Sequence, residues 1–229
     1  MAHSEISRVT RSKAQARTAY DRISRWYDGL AASSERPLAE ISLHNLNPRD
    51  GETVLEIGCG TGHAILAIAS AVGVSGRVHG VDLSHGMLSI AMRKILLAKP
   101  SARVVLEQGD GIHLPFAIKS FDAIFLSFAL ELFDTPEIPL VLSECRRVLR
   151  PSGRICVVAM ARDEQENLPQ RIYEWFHQYS PVYVDCRPIY VRSSLNRSGF
   201  QIKEAARKWM WGLPVDICVA LKPGRENDD

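Results

Sequence analysis

Glycines and a carboxylate alternate in one short stretch, VLEIGCGTGHA, which covers residues 54–64. Glu56 stands inside an apolar run, and Gly58, Gly60 and Gly62 follow it at every second position. Glycines between a strand and a helix let the backbone turn sharply and let a ligand approach closely. The stretch therefore predicts a ligand-binding turn with a carboxylate at its base.

The spacing argues against a dinucleotide as that ligand. The fingerprint GxGxxG would place its third glycine at position 63, which is His63 in this chain. A carboxylate at Glu56 would also repel a pyrophosphate, whereas it would attract a cation. S-adenosylmethionine carries a sulfonium and an ammonium and no phosphate, so the residues favour it as the cofactor.

Two further carboxylates follow the next two predicted strands. Asp82 is placed to accept hydrogen bonds from a ribose diol, as acidic residues at that position do in nucleotide-binding sheets. Asp110 is placed to accept from the adenine amino group, with Leu83 and Ile112 on either side of the ring and Met87 against the adenosine. Each aspartate has a simpler alternative, since Asp82 also suits a helix cap and Asp110 an ordinary turn.

Strands and helices alternate along most of the chain and would position these groups. Strands are predicted at 53–58, 77–83, 103–110, 121–128 and 154–160, and helices at 63–72, 85–98 and 138–149. This rhythm predicts an α/β domain with a parallel sheet covered on both faces. A helix at 192–199 and strands at 200–207 and 213–221 complete the pattern, and we expect residues 223–229 to be disordered.

Composition narrows the class of protein. The 229 residues are 46% hydrophobic and have a formal net charge of +2, which suits one globular domain and gives no support for nucleic acid as a partner. The five cysteines form no C-x-x-C pair, so we expect reduced thiols and no metal site. With neither a signal peptide nor a long apolar segment, we expect a soluble, cytoplasmic protein.

Four motifs in series resemble those of class I S-adenosylmethionine-dependent methyltransferases, especially the branch that includes the ubiquinone and menaquinone enzymes. They are VLEIGCGTGHA, VHGVDLSHGML, GDGIHLPFAIKSFDAIFLSFAL and RVLRPSGRICVV. The resemblance implies a doubly wound, Rossmann-like seven-stranded sheet of order 3-2-1-4-5-7-6 with the last strand antiparallel. It also implies cofactor contacts from the first two motifs, from Asp110 and from the segment around Ser127.

The candidate cofactor-binding residues come from these motifs and from the first helix. They are Tyr20, Tyr27, Glu56, Gly58, Cys59, Gly60, Gly62, Asp82, Leu83, Met87, Asp110, Gly111, Ile112 and Ser127.

The first thirty residues predict a basic helical lid over the domain of residues 31–222. Tyr20 and Tyr27 are seven residues apart and share one helix face, where their rings could stabilise a sulfonium. The alternative is that they only pack the helix against the domain. The basic residues could also contact anionic lipid, but a solvated face is the interpretation we favour from sequence.

Candidate catalytic residues follow the fourth strand and lie in an aromatic-rich cap at 161–190. Glu131 could act as a base or bind a cationic group, while His177 and Tyr183 could line an acceptor pocket. Quinone methyltransferases typically have an Arg-Asn pair where this chain has Leu130-Glu131, which weakens a quinone assignment. A surface carboxylate and aromatics that merely cover the sheet edge remain the alternatives.

The sequence thus predicts methyl transfer from S-adenosylmethionine to a small, partly apolar acceptor. Quinone-type, phospholipid amine and thiol acceptors stay open, as does the oligomeric state. The alternative function is a non-catalytic partner or sensor subunit that binds the cofactor. RNA and protein methylation lack a supporting motif, since the segment after strand four reads Ser127-Phe128-Ala129-Leu130.

Overall fold

A computed structural model describes residues 8–9, 11–31, 34–162 and 187–224. Most of the predicted cap at 161–190 and most of the predicted disordered tail at 223–229 lie outside these residues. The predicted lid at 1–30 is described from residue 8 onward, apart from residue 10.

Helices and strands alternate through the described chain as the sequence predicts. The helices are α1 (Lys13–Ala31), α2 (Glu35–Leu46), α3 (His63–Val72), α4 (His85–Ala98), α5 (Ile138–Val148) and α6 (Val191–Arg197). The strands are β1 (Thr53–Ile57), β2 (Arg77–Asp82), β3 (Arg103–Gln108), β4 (Phe121–Ser127), β5 (Leu149–Met160), β6 (Gln201–Met210) and β7 (Leu213–Leu221). A single 3₁₀ turn at Leu130–Leu132 follows β4.

One seven-stranded sheet has the order β3-β2-β1-β4-β5-β7-β6. Strands β1 to β5 pair in parallel, whereas β7 runs antiparallel to both of its neighbours. The predicted sheet order and the antiparallel last strand are therefore confirmed. The carboxyl ends of β1, β2, β3 and β4 consequently meet at one edge of the sheet, where ligands bind in open α/β folds.

Most boundaries lie within two residues of the sequence prediction, and three larger differences stand out. Strand β5 begins at Leu149 and not at 154, because a register shift in the pairing with β4 lets the Pro-Ser-Gly segment stay in the strand. Strand β6 extends to Met210. Helix α2 was not predicted from sequence, although Leu38, Leu43 and Leu46 bury its inner face in the core.

Alternation along the strands divides the core into two layers. On β1, Val54 packs beneath α2 and α3, while Leu55 points to the opposite layer with α5 and α6. Glu56 is fully enclosed and, by the same alternation, shares the face of Val54. The sequence therefore directs one carboxylate into the layer that the glycine-rich turn and α3 cover.

No helix among the described residues combines the length and the apolar character needed to cross a bilayer.

Candidate cofactor and acceptor site

A cavity of about 400 Å³ opens at the carboxyl ends of the parallel strands. Helix α1, the glycine-rich turn, the ends of β2 and β3 and the segment after β4 form its walls. Ten of the predicted residues line it, namely Tyr20, Tyr27, Gly58, Gly60, Asp82, Leu83, Met87, Asp110, Gly111 and Ser127. The volume lies within the range of small-molecule sites, which is roughly 300–1,000 Å³.

A smaller cavity of about 100 Å³ adjoins the first and is lined by Glu56 and Cys59. The two cavities share Tyr27, Gly58 and Ser127 among their lining residues. Two predicted residues line neither cavity. Gly62 packs against Ala91 of α4, and Ile112 packs against the core, so their predicted contacts with a cofactor remain untested predictions.

The three glycines of the turn all have positive φ angles but serve different purposes. At Gly58 a Cβ atom would lie 2.6 Å from the Cβ of Ala129, and at Gly62 it would lie 2.8 Å from the Cβ of Ala91. At Gly60 a Cβ would meet nothing within 4 Å. Two glycines therefore permit close packing, whereas Gly60 leaves space beside the cavity.

Glu56 is the buried carboxyl at the base of this turn. Its side chain is 3% exposed, and its Oε2 has no hydrogen-bond partner among the described residues. Burial raises its pKa well above the usual value, and the nearby charge of Asp82 adds to the shift. An unpaired buried carboxyl is costly, so a hydrogen-bond donor or a cation in the smaller cavity would stabilise it.

Asp82 ends β2 and connects it to the turn. One carboxylate oxygen accepts from the N–H of Gly60 at 2.8 Å, and the other accepts from the N–H of Ser84, also at 2.8 Å. Burial raises the pKa of Asp82, and these backbone donors oppose that rise. The carboxylate is thus fixed in orientation at the cavity wall, with remaining lone pairs for a diol.

Cys59 is buried, and burial raises the pKa of its thiol well above the usual value, with the Glu56 charge adding to the effect. A thiol of raised pKa is a poor nucleophile at neutral pH, so this environment suits a small packing residue more than a reactive thiol.

Asp110 carries an ion pair that the sequence did not predict. Its Oδ2 lies 2.6 Å from Nζ of Lys13 on α1, and the same ammonium lies 2.7 Å from Oε1 of Glu137. The N–H of Ile112 donates to the other oxygen of Asp110 at 3.2 Å. The carboxylate predicted to accept from adenine therefore also anchors the first helix.

Further polar contacts hold the N-terminal segment over the cavity. Asp21 accepts from the hydroxyl of Ser84 at 2.6 Å and from the N–H of Gly86 at 2.8 Å, while Asp28 pairs with Lys94 at 2.7 Å. The guanidinium of Arg8 binds Asp134 at 2.6 Å and holds the pKa of that carboxyl at about 2. Helix α1 thus packs against α4 and forms one wall of the larger cavity, while its role as a lid stays a prediction.

Tyr20 and Tyr27 share the inner face of α1, as the sequence predicts. Their ring centroids are 6.3 Å apart in an edge-to-face arrangement, and both residues line the larger cavity. The two rings provide an aromatic wall on which a cationic group can rest.

Glu131 lies in the 3₁₀ turn after β4 and is completely buried. Its Oε1 accepts from the N–H of Met160 at 3.2 Å, and its Oε2 has no partner among the described residues. Burial raises its pKa to about 8. Because Glu131 is buried, the alternative of a surface carboxylate is wrong. It lines neither cavity, so its predicted role as a base or cation ligand stays a prediction.

Glu35, at the start of α2, is the residue that sequence reasoning missed. It lines the smaller cavity, and its Oε2 accepts from the hydroxyl of Tyr27 at 3.2 Å. Burial raises its pKa to about 7, and its charge in turn raises the pKa of Glu131. The helical spacing of Leu38, Leu43 and Leu46 was the available signal for α2 and for an acidic residue in its first turn.

The other two catalytic candidates, His177 and Tyr183, lie outside the described residues. Directly after that segment, Arg187 is buried and its Nη1 donates to Oγ1 of Thr135 at 2.9 Å. Its Nη2 donates to the carbonyl oxygen of Phe133. The chain therefore returns from the aromatic-rich segment to the loop that follows β4, next to the larger cavity.

Comparison with protein families agrees with this geometry. Residues 54–153 match a family model described as a methyltransferase domain. The demethylmenaquinone methyltransferase of Bacillus velezensis is 33% identical over 138 residues, which are 60% of this chain and 58% of that protein. The match thus spans little more than half the length of that relative.

Solved structures share the fold at low identity. The [4+2]-cyclase SpnF superposes with a TM-score of 0.73 at 18% identity, covering 96% of this chain and 100% of that one. A SAM-dependent methyltransferase from Aquifex aeolicus gives a TM-score of 0.63 at 17% identity, covering 93% and 100%. The chain is thus similar to S-adenosylmethionine-dependent methyltransferases, including quinone methyltransferases, and this similarity implies S-adenosylmethionine as the cofactor.

Proposed function

We propose that this chain transfers the methyl group of S-adenosylmethionine to a small, partly apolar acceptor. The observation that carries the proposal is the pair of adjoining cavities at the carboxyl ends of the strands. One is bordered by Asp82 and Asp110, and the other contains the unpaired carboxyl of Glu56. S-adenosylmethionine suits both cavities, because its nucleoside would meet Asp82 and Asp110 in the larger one and its cationic amino acid group would meet Glu56 in the smaller one.

The residues present fit that cofactor. Asp82 would bind the ribose diol, and Glu56 would bind the ammonium group, for which its unpaired oxygen is suited. Leu83 and Met87 supply apolar walls to the larger cavity. Gly60, where a Cβ would meet nothing within 4 Å, leaves room for close approach to the backbone.

When bound, S-adenosylmethionine supplies an electrophilic methyl group on a sulfonium. The chain contributes orientation, exclusion of water and management of the acceptor's proton. We assign the proton to Glu35 by way of Tyr27, which lines both cavities and whose hydroxyl donates to Oε2 of Glu35. The pKa of Glu35, about 7, suits a base at neutral pH. Glu131, with a pKa of about 8, is mainly protonated there and is a second buried carboxyl close enough to feel the charge of Glu35.

Among acceptors, a reduced quinone is the first class to test. Support comes from the relative in Bacillus velezensis, which is named a demethylmenaquinone methyltransferase. A base near neutral pKa also suits an acceptor that must lose a proton. Phospholipid amines and thiols form the rest of the panel.

Calorimetric titration with S-adenosylhomocysteine tests the cofactor site. We expect Asp82→Ala to weaken binding by about 10- to 100-fold, because hydrogen bonds to a charged group are lost. Asp50→Asn, which alters an exposed aspartate at the amino end of the sheet, is the matched control and should bind like the wild type. Equal binding by all three proteins would contradict the assignment.

The release of S-adenosylhomocysteine in the presence of each acceptor tests turnover. A non-catalytic binding protein is the second candidate, because binding of the cofactor does not by itself require turnover. That candidate predicts cofactor binding without release of product. His177→Ala and Tyr183→Phe test the acceptor pocket, which would lie elsewhere if both variants turned over the true acceptor normally.

A further inference from the structure

Helix α1 has two faces with different chemistry. Its inner residues, including Lys13, Ala16, Tyr20 and Tyr27, line the larger cavity. Its outward face exposes Arg17, Arg22, Arg25 and Trp26, and the tryptophan is 75% exposed. An exposed tryptophan among arginines is unusual for a face that only meets water.

Helix α4 continues this outward face. Asp21 binds at the start of α4 and Asp28, seven residues later, pairs with Lys94, so the two helices run side by side in the same direction. The outward face of α4 exposes Leu96 and Leu97, which are 66% and 78% exposed, together with Met92. We call the exposed residues of α1 and α4 the lid surface.

The charged side chains exposed on the lid surface are mostly basic. Its exposed basic residues are Arg17, Arg22, Arg25, Arg93 and, just after α4, Lys99. Asp21 is the acidic residue among its described exposed positions, and its carboxylate already accepts from Ser84 and Gly86. The whole chain has a net charge of only +2, so the positive charge is concentrated locally.

We propose that the lid surface docks on an anionic phospholipid bilayer. Arginines attract the anionic headgroups, while Trp26, Leu96 and Leu97 are apolar groups able to enter the boundary between headgroups and acyl chains. A nucleic acid would complement the charge but would leave these three apolar side chains without a partner. The combination of both kinds of group selects the lipid surface.

In this orientation the outward face of α1 contacts the membrane, while its inner face lines the larger cavity. Because inner and outer faces belong to one helix, an apolar acceptor dissolved in the bilayer would reach the site past α1. This consequence rests on the proposed function, whereas the docking itself does not.

Vesicle co-sedimentation of the full chain tests the docking without any cofactor or acceptor. We expect binding to vesicles of phosphatidylcholine with 30% phosphatidylglycerol, much weaker binding to pure phosphatidylcholine, and loss of binding in 0.5 M NaCl, where the Debye length falls to about 4 Å. The double variant Arg22→Glu/Arg25→Glu should bind at least about tenfold more weakly, since each basic residue contributes roughly fivefold.

The apolar contribution has its own variants and a matched control. Trp26→Ser and Leu96→Ser/Leu97→Ser should each weaken binding to the anionic vesicles several-fold. Trp209→Ser alters a tryptophan that is 60% exposed on β6, at the sheet edge opposite β3, and should bind like the wild type. An unchanged midpoint of urea denaturation shows that each variant has kept its fold.

Three outcomes would overturn the proposal. The first is no binding of the wild type to anionic vesicles, and the second is binding that Arg22→Glu/Arg25→Glu leaves intact. The third is a loss in Trp209→Ser as large as that in Trp26→Ser, which would place the contact at the opposite edge of the sheet. A soluble dimer that dissociates in Trp26→Ser, without vesicle binding, would assign the lid surface to a second copy of the chain.

Discussion

Lys13 and Asp110 join the first helix to the loop after β3, with Nζ and Oδ2 2.6 Å apart in the wall of the larger cavity. The pair links residues 97 positions apart in the sequence. Since Asp110 is also the predicted acceptor for the adenine amino group, we expect the position of α1 and recognition of the base to depend on one carboxylate.

Replacing Lys13 by methionine should loosen the lid without unfolding the domain. The two side chains are 36% and 24% exposed, so the pair contributes about 1 kcal/mol or less. We expect backbone amides of α1 to exchange hydrogen for deuterium up to about fivefold faster in Lys13→Met. Lys119→Met, in an exposed turn, is the control, and an unchanged exchange rate in α1 would show that Lys13 does not hold the helix.

Two glycines of the turn, Gly62 and Gly60, should contribute differently to folding and to ligand binding. An alanine at Gly62 places its Cβ 2.8 Å from that of Ala91 and also requires a positive φ. We expect Gly62→Ala to lower the free energy of unfolding by at least about 2 kcal/mol, as overpacking and backbone strain add. Urea denaturation measures this loss.

Gly60→Ala should behave differently. Its Cβ would meet no atom within 4 Å, so the cost to folding is limited to the backbone strain of about 1 kcal/mol. The methyl group would occupy space beside the cavity and should weaken S-adenosylhomocysteine binding about tenfold or more, as calorimetry can measure. Normal affinity in Gly60→Ala, or normal stability in Gly62→Ala, would contradict this division of roles.

Sequence patterns predicted the features that depend on local periodicity. Alternation of apolar residues located the strands, and the sequence placed the glycine-rich turn after the first strand and Asp82 at the end of the second. The hydrogen bond from the Gly60 N–H to the Asp82 carboxylate came from the structure. The order of the strands came from the resemblance to a family, because nothing in the periodicity specifies which strands become neighbours.

Long-range pairings were not predictable in this way. Lys13 is one of many basic residues near the N-terminus, and no local signal indicates that it meets Asp110. Glu35 begins a helix that carries Pro37 in its first turn, which made the segment resemble a loop. Its raised pKa arises from burial by residues distant in the sequence, so only the folded chain reveals it.

Arg187 should contribute strongly to stability. Arg187 is 1% exposed, and its guanidinium donates to the hydroxyl of Thr135 and the carbonyl of Phe133, so removal leaves buried acceptors unpaired. We expect Arg187→Met to lower the free energy of unfolding by about 2–4 kcal/mol. Arg192→Met is the matched control, because Arg192 is 47% exposed and lies 3.4 Å from Asp216, and it should cost less than about 1 kcal/mol. Similar losses in both variants would exclude a special role for Arg187.

Glu131 should make the stability of the protein decrease as the pH rises. Burial raises its pKa from 4.5 to about 8, so the folded state binds the proton more tightly than the unfolded state does. The stabilisation is fully present below pH 4.5 and is lost progressively as the pH rises through 8. For one fully buried group with this shift, the loss is at most about 5 kcal/mol.

Glu131→Gln removes this titration while it keeps the size of the side chain and an oxygen for the N–H of Met160. Relative to the wild type, the variant should gain stability between pH 5 and pH 9, as measured by urea denaturation at several pH values. Glu40→Gln, at a side chain that is 63% exposed, controls for the loss of a carboxyl group. If the curves for Glu131→Gln and the wild type run parallel across this range, the carboxyl of Glu131 does not titrate between its unfolded value and 8. The buried proton would then have to be assigned to Glu35, whose pKa of about 7 produces the same direction of change over a narrower range of pH.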